Sequence, residues 1–451
     1  MSPARRPARA RDAAWRAEEA PLRGGAVWTA TTDVGMPVVV RPMPGFAKAY
    51  AVLTVHFGAL DRALPDGRPL PLGLAHFLEH KMFATPDGDV FDVYAQRGAA
   101  ANAWTTWSST AYLFGCTSRF LENLGTLLGT VRTVHADAAG IEREKGIIGQ
   151  EIAMYADDAG WRGHAQLLEA LYVAHPVRDE ITGSAATIAG IDRALLVATH
   201  AAYYHPANTA LFVAGDVDRD AVLAAAQAAT ASAGPGARHR RRRADEPGRV
   251  ASAERRCALP VARPQVTLGI KDVPPGATGA ALAAQEAATD VVLDALFGDG
   301  GRIEAVLYRD GVVDDTFGAA YQAEDDFAFV SVGGDVDDER GFRARLEEAF
   351  DAAARLPVGE AEVERARRRA VGGYLRAFDA PERAASMLLG LHEKEIGLRD
   401  ALEAMLAVTP AQATERLRAL AACPRTWSVV EPRGRGAGRA APGLPRAPTR
   451  R

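Results

Sequence analysis

Lys48–Phe57 and Val266–Ile270 are runs in which apolar residues dominate, and they predict strands. Thr110–Phe114 and Phe327–Ser331 are strand-like as well. Elsewhere the apolar spacing is helical. Leu72, Leu74, Phe77, Leu78, Met82 and Phe83 predict a largely buried helix, and Ile148 and Ile152 predict another over Ile141–Tyr155. Both ends lack such patterns. Met1 to Arg23 and Arg433 to Arg451 are polar and rich in Ala, Arg and Pro, so they predict disordered tails. Ser232 to Arg256, with its basic run Arg238–Arg243, predicts a solvated linker between a domain at 24–231 and a second at 257–432.

The two halves resemble each other. With a shift of 217 residues, Thr110–Phe114 falls on Phe327–Ser331. The helix around Ala75–Phe83 falls on Val292–Gly300, and the one around Glu144–Tyr155 falls on Ala361–Gly372. Helix, strand and helix in one order, twice, predict a duplicated α+β unit. Each copy should be a twisted, mainly antiparallel sheet with helices packed on one face.

The candidate chemistry sits in the first copy. His76-Phe77-Leu78-Glu79-His80 reads H-x-x-E-H. Residues four apart share a helix face, so His76 and His80 can present two imidazoles to one metal. Glu79 lies one step off that face. The competing reading is a helix whose histidines are hydrogen-bonded core members. A third ligand should come from afar, and Glu144 and Glu151, seven apart, project from nearly the same side of their helix. Alone, that pattern reads as an ordinary solvated Glu face. Beside the first motif it nominates Glu151 as ligand and Glu144 as the residue that orients a histidine. Glu142 points to the opposite side. Gly146 and Gly149 each weaken a helix by about 1 kcal/mol, which suggests another backbone packed close against them. At the same shift, His76, Glu79, His80 and Glu151 fall on Leu293, Leu296, Phe297 and Arg368, so one site per chain is expected.

Composition narrows the class. With 451 residues, 48% hydrophobic and 24% charged, the chain suits a soluble multidomain protein. A net charge of −4 argues for neither nucleic acid nor membrane as partner, and no apolar run approaches the roughly 20 residues of a spanning helix. The N-terminus has arginines but no apolar core of a secretory signal. Cys116, Cys257 and Cys423 are far apart and lack metal spacing, which points to the cytoplasm. Gly298–Gly301 lacks the lysine of a phosphate loop and reads as a helix-capping turn.

These segments together resemble the pitrilysin (insulinase) family of zinc peptidases, in the small bacterial branch similar to mitochondrial processing peptidase. The resemblance runs from about Thr29 to Pro432 and is strongest over Gly73–Phe83, Gly98–Phe114, Glu144–Trp161 and Tyr203–Asp216. It implies one zinc ion held by His76, His80 and Glu151, with Glu79 as general base and Glu144 in support. It also implies that Asn102 and Ala103 lie on an edge strand pairing with an extended peptide; read alone, Asn102 could be a turn residue. Nitrogen and oxygen ligands with an open position favour zinc over other divalent ions. The expected function is zinc-dependent endopeptidase action on short unstructured peptides such as leader peptides. The alternative is a non-catalytic or peptide-holding subunit of the same fold. One departure stands out. Relatives carry an Arg and a Tyr, seven apart, in the second half, where this chain has Leu307 and Asp314. A homologous partner subunit bearing that pair is therefore expected to close as a clamshell over the site.

Overall fold

The computed structural model describes residues 15–20, 24–85, 88–234, 236–274, 276 and 278–433. Of the tails expected at residues 1–23 and 433–451, residues 1–14, 21–23 and 434–451 lie outside the described residues. Strands of the first half are β1 (Arg16–Glu19), β2 (Ala26–Thr31), β3 (Pro37–Pro42) and β4 (Ala49–Val55). After them come the short pair β5 (Ala84–Thr85) and β6 (Gly88–Asp89), then β7 (Ala100–Thr105), β8 (Thr110–Cys116) and β9 (Thr209–Gly215). The second half has β10 (Glu254–Leu259), β11 (Gln265–Asp272), β12 (Gly318–Ala323), β13 (Ala328–Asp335) and β14 (Arg425–Pro432).

The first sheet runs β1-β2-β3-β9-β4-β8-β7, and the second runs β10-β14-β11-β13-β12. Five strands correspond one for one. β3 is parallel to β9 as β10 is to β14, and every later neighbour in each series is antiparallel. The duplicated α+β unit is therefore present in full, with β1 and β2 added to the first copy.

β4 and β9 are buried at every position. A strand with no polar alternation has both faces covered, and here the second cover comes from the other half. The helix Pro381–Glu393 packs on β4 and β9, setting Leu388 and Leu389 in one cluster with Val52 and Phe212. In return, the helix Ala159–Leu171 packs on β10, β11 and β14. Gln166 on that helix donates from Nε2 to Ser428 Oγ at 2.9 Å and to the Val429 carbonyl at 3.1 Å. Gly269 makes room for it, since a Cβ there would lie 2.7 Å from Leu167 Cδ1. Each half thus carries its own helices on one face and receives a helix from its sister on the other.

Two boundaries differ from the sequence expectations. β1 lies inside the expected N-terminal tail, paired with β2 from Arg16↔Thr29 to Glu19↔Ala26. It is held by backbone pairing with exposed side chains, so it has no apolar signature. β10 likewise starts at Glu254, within the expected linker. The linker is mostly exposed, as expected, but it is pinned to both halves. Arg241 bonds the buried Asp61 of the first half, whereas Arg243 bonds Asp325 and Arg238 bonds Glu395 of the second. Burial would raise the Asp61 carboxyl, but Arg241 and His239 hold its pKa below the ordinary value. No helix among the described residues is long and apolar enough to cross a membrane.

Glu246 pins this strap to both halves. It accepts the Val173, Ala174 and His175 amides at 2.8, 2.7 and 2.6 Å and takes the ammonium of Lys271, whose side chain is 5% exposed. Burial pushes the Glu246 carboxyl up; Lys271 and the three amides outweigh it and leave the pKa lowered. Glu246→Gln removes the counter-charge of a buried ammonium that keeps the Pro247 and Arg249 carbonyls at 2.8 and 2.7 Å, and should cost about 1.5–3 kcal/mol in urea unfolding at neutral pH. A depressed carboxyl stabilises above its unfolded pKa and loses that contribution as pH falls through the folded value. The gap between wild type and Glu246→Gln should therefore narrow on acidification.

Candidate metal centre

The helix Leu74–Met82 starts at Gly73, whose φ of 85° favours glycine. A Cβ there would also lie 2.4 Å from the Thr182 carbonyl. Phe77 and Leu78 anchor the helix in the core, and His76, buried, and His80, half-buried, lie on the adjoining face. Their ring centroids are 4.6 Å apart. The helix Ala138–Asp157 crosses nearby, begun by Asp137 accepting the Gly140 amide at 2.8 Å and seated through the buried Ile148. Asp158 ends it and caps the next helix by accepting the Trp161 amide at 2.7 Å.

Glu151 reaches from this second helix to both imidazoles. His76 Nε2 lies 3.5 Å from Glu151 Oε1, and His80 Nε2 lies 3.6 Å from Glu151 Oε2. One ligand atom from each of the three residues falls within 4.8 Å of the others. Two ligand atoms about 2.0–2.1 Å from one tetrahedral ion sit roughly 3.3 Å apart. The separations are long for hydrogen bonds and close to that span, so the donor set fits a divalent ion such as zinc. Glu144 Oε1 lies 2.8 Å from His80 Nδ1. A proton shared there leaves the Nε2 lone pair facing Glu151, which is the tautomer a metal ligand needs.

The electrostatics follow the geometry. His76 is the largest cause of a lowered Glu151 pKa, with burial opposing and the Tyr155 hydroxyl helping. Burial raises the pKa of Glu79, which is 8% exposed, against the pull of Thr105 Oγ1, which donates to Glu79 Oε2 at 2.7 Å. For His80, burial acts downward, but Glu144 and the neighbouring carboxylates outweigh it and raise the pKa.

Asn102 and Ala103 lie on β7, the unpaired edge of the first sheet. Asn102 Oδ1 accepts the Ala103 amide at 2.9 Å. Glu142 is on the far side of its helix, paired with Lys145 at the surface. The expectation for Gly146 and Gly149 fails: a Cβ at either would meet nothing within 4 Å. The two helices approach through Ile148 and the long Glu144 and Glu151 side chains instead. Thr105 and Tyr155 were missed by sequence reasoning. Tyr155 stands four residues after Glu151, so helical spacing could have found it; it also stacks on Trp161 at 4.2 Å. Thr105 has no local signal, because only the fold brings the end of β7 to Glu79. In the second copy, Leu293, Leu296 and Phe297 are buried core residues and Arg368 is paired at the surface with Glu364.

Residues 42–184 match the family described as insulinase (peptidase family M16), and residues 190–370 match the peptidase M16 inactive domain. An uncharacterised zinc protease of Bacillus subtilis, YmfH, is 34% identical over 382 residues, covering 83% of this chain and 89% of the relative. The crystal structure of a protein described as an M16-like peptidase from Alicyclobacillus acidocaldarius superposes with a TM-score of 0.86 at 31% identity, covering 90% of this chain and 98% of that one. A peptidase M16 inactive domain from Pseudomonas fluorescens shares the fold, with a TM-score of 0.76 at 17% identity over 90% of this chain and 98% of its own.

Replacing Glu144 by Gln should leave the fold intact and weaken Zn2+ binding about 10- to 100-fold, measured by competition with a chromogenic chelator.

Proposed function

The chain belongs to the insulinase family of peptidases, family M16, and from that premise we propose that it is a zinc-dependent endopeptidase acting on short unstructured peptides. The observation that carries this is the meeting of His76, His80 and Glu151 beside Glu79, next to the free edge of β7. His76, His80 and Glu151 would hold the zinc. Bound there, zinc supplies Lewis acidity, which acidifies a water toward neutral pH and polarises the scissile carbonyl. Glu79 takes the proton of the attacking water and returns it to the leaving amine. Glu144 keeps His80 in its working tautomer. The peptide lies extended along β7, paired through main-chain hydrogen bonds near Asn102 and Ala103. Leader or processing peptides suit such a site, since a folded protein offers few free strands. Three free cysteines favour a cytoplasmic setting.

Replacing Glu79 by Gln should keep zinc bound at one equivalent and lower peptide turnover at least 100-fold. Normal turnover in that variant, or a wild type that binds peptides without cutting them, would favour the peptide-holding alternative.

A homologous partner completes this reading. Leu307 is buried in the second core, and Asp314 is held by Arg263 at 2.6 Å and by Thr316. Neither side chain is available to donate to a substrate carbonyl. We assign that role to an Arg and a Tyr on a sister subunit closing over the zinc-bearing one. Adding that sister chain should raise kcat/KM at least 10-fold above the purified chain alone, corresponding to about 1.4 kcal/mol of transition-state stabilisation. Equal rates with and without it would remove the partner.

A further inference from the structure

Thr105 joins the two parts of the site that the hydrolase reading treats separately, the peptide-pairing strand and the proton-handling carboxylate. Its Oγ1 donates to Glu79 Oε2 at 2.7 Å, and among the described residues this is the one hydrogen bond given to that carboxylate. Glu79 is buried, and its charged neighbours are His76, His80 and Glu151, so the Thr105 hydroxyl is the neutral donor that fixes one of its oxygens. With Oε2 engaged, Oε1 is the oxygen left to handle a proton.

The hydroxyl is held from the sheet side. Thr105 pairs with Thr110 at the closed end of the β7–β8 hairpin. The hairpin loop is fixed by the Thr106 amide donating to the Ser109 carbonyl at 2.8 Å, and by Thr106 Oγ1, which accepts the Ser109 amide at 3.0 Å. The Ala59 and Leu60 amides bond the Thr106 and Trp107 carbonyls at 3.0 and 2.8 Å, tying the loop to the segment after β4. Thr110 Oγ1 donates to the Phe57 carbonyl at 2.9 Å. A β-branched side chain on such a backbone has little χ1 freedom. Glu79 is therefore indexed to the sheet as well as to its own helix. Ala103, two residues before Thr105, lies on the same face of β7.

We propose that Thr105 is a positioning residue that sets the Glu79 carboxylate and couples pairing of a peptide on β7 to the orientation of that base. A peptide added to the β7 edge stiffens the strand that carries the hydroxyl, so the base is best aligned when substrate is seated. The proposal rests on the hydrolase reading for its kinetic consequence but not for its geometry.

Thr105→Val removes the hydroxyl and keeps shape and strand propensity, whereas Thr105→Ser keeps the hydroxyl. In the full chain, with the partner if one is required, Thr105→Val should lower kcat about 10- to 100-fold, the scale of a misplaced reacting group. KM, zinc stoichiometry and Tm should stay near wild type, and Thr105→Ser should recover most of the rate. Crystal structures of the zinc-loaded wild type and Thr105→Val should show the carboxylate leaving its wild-type position in the variant. Wild-type kcat in Thr105→Val, equal losses in Val and Ser, a loss confined to KM or zinc content, or an unmoved Glu79 would each overturn the inference. If the wild type proves inert on peptides, the hydrolase reading falls, and the position of Glu79 in the two crystals still decides the role of Thr105.

Discussion

The architecture depends on the reciprocal burial of two apolar sheet faces. Each sheet has a second face that its own helices do not reach, and one helix from the sister half covers it. Burial of apolar surface is the main favourable term in folding, at about 25 cal/mol per Å², so the exchange is a strong fastening. It also bears on the metal centre. The helix Ala159–Leu171, clamped on the second sheet, follows the helix carrying Glu144 and Glu151 after the single residue Asp158. Glu151 is thereby located by the domain junction, while His76 and His80 are located by the first core.

The metal centre shows what the duplicated frame leaves free to vary. Both copies have the same five-strand order, and both place a helix before, and another after, the last hairpin. In one, the crossing helices bring nitrogen and oxygen atoms together at the separations a tetrahedral ion needs. In the other, the corresponding positions fill a core or pair at the surface. Three polar residues, one buried and two half-buried, on facing helices carry a desolvation cost that the apolar positions of the other copy do not.

What could be read from the sequence was local. The four-residue spacing of His76 and His80 and the seven-residue spacing of Glu144 and Glu151 are properties of a helix, and they held their geometry in the fold. The duplication was visible because corresponding elements keep their order along the chain. Long-range features were not visible. β1 has exposed side chains and is defined by pairing alone. The arginines of the linker look solvated until Asp61, Asp325 and Glu395 are placed beside them. Gly146 and Gly149 suggested a close backbone where there is open space, because a glycine in a helix does not say why it is there. The exchange of helices had a trace: Ala49–Val55 and Thr209–Gly215 lack the polar alternation of a one-sided sheet.

The crossed helices have a consequence for synthesis. The helix Pro381–Glu393 leaves the ribosome long after β4 and β9, so the first sheet must wait with an apolar face open to water until that helix is made. Contacts this distant in sequence slow folding. Until that helix arrives, the nascent N-terminal half exposes the apolar face of β4 and β9, the kind of surface that makes folding intermediates prone to aggregate.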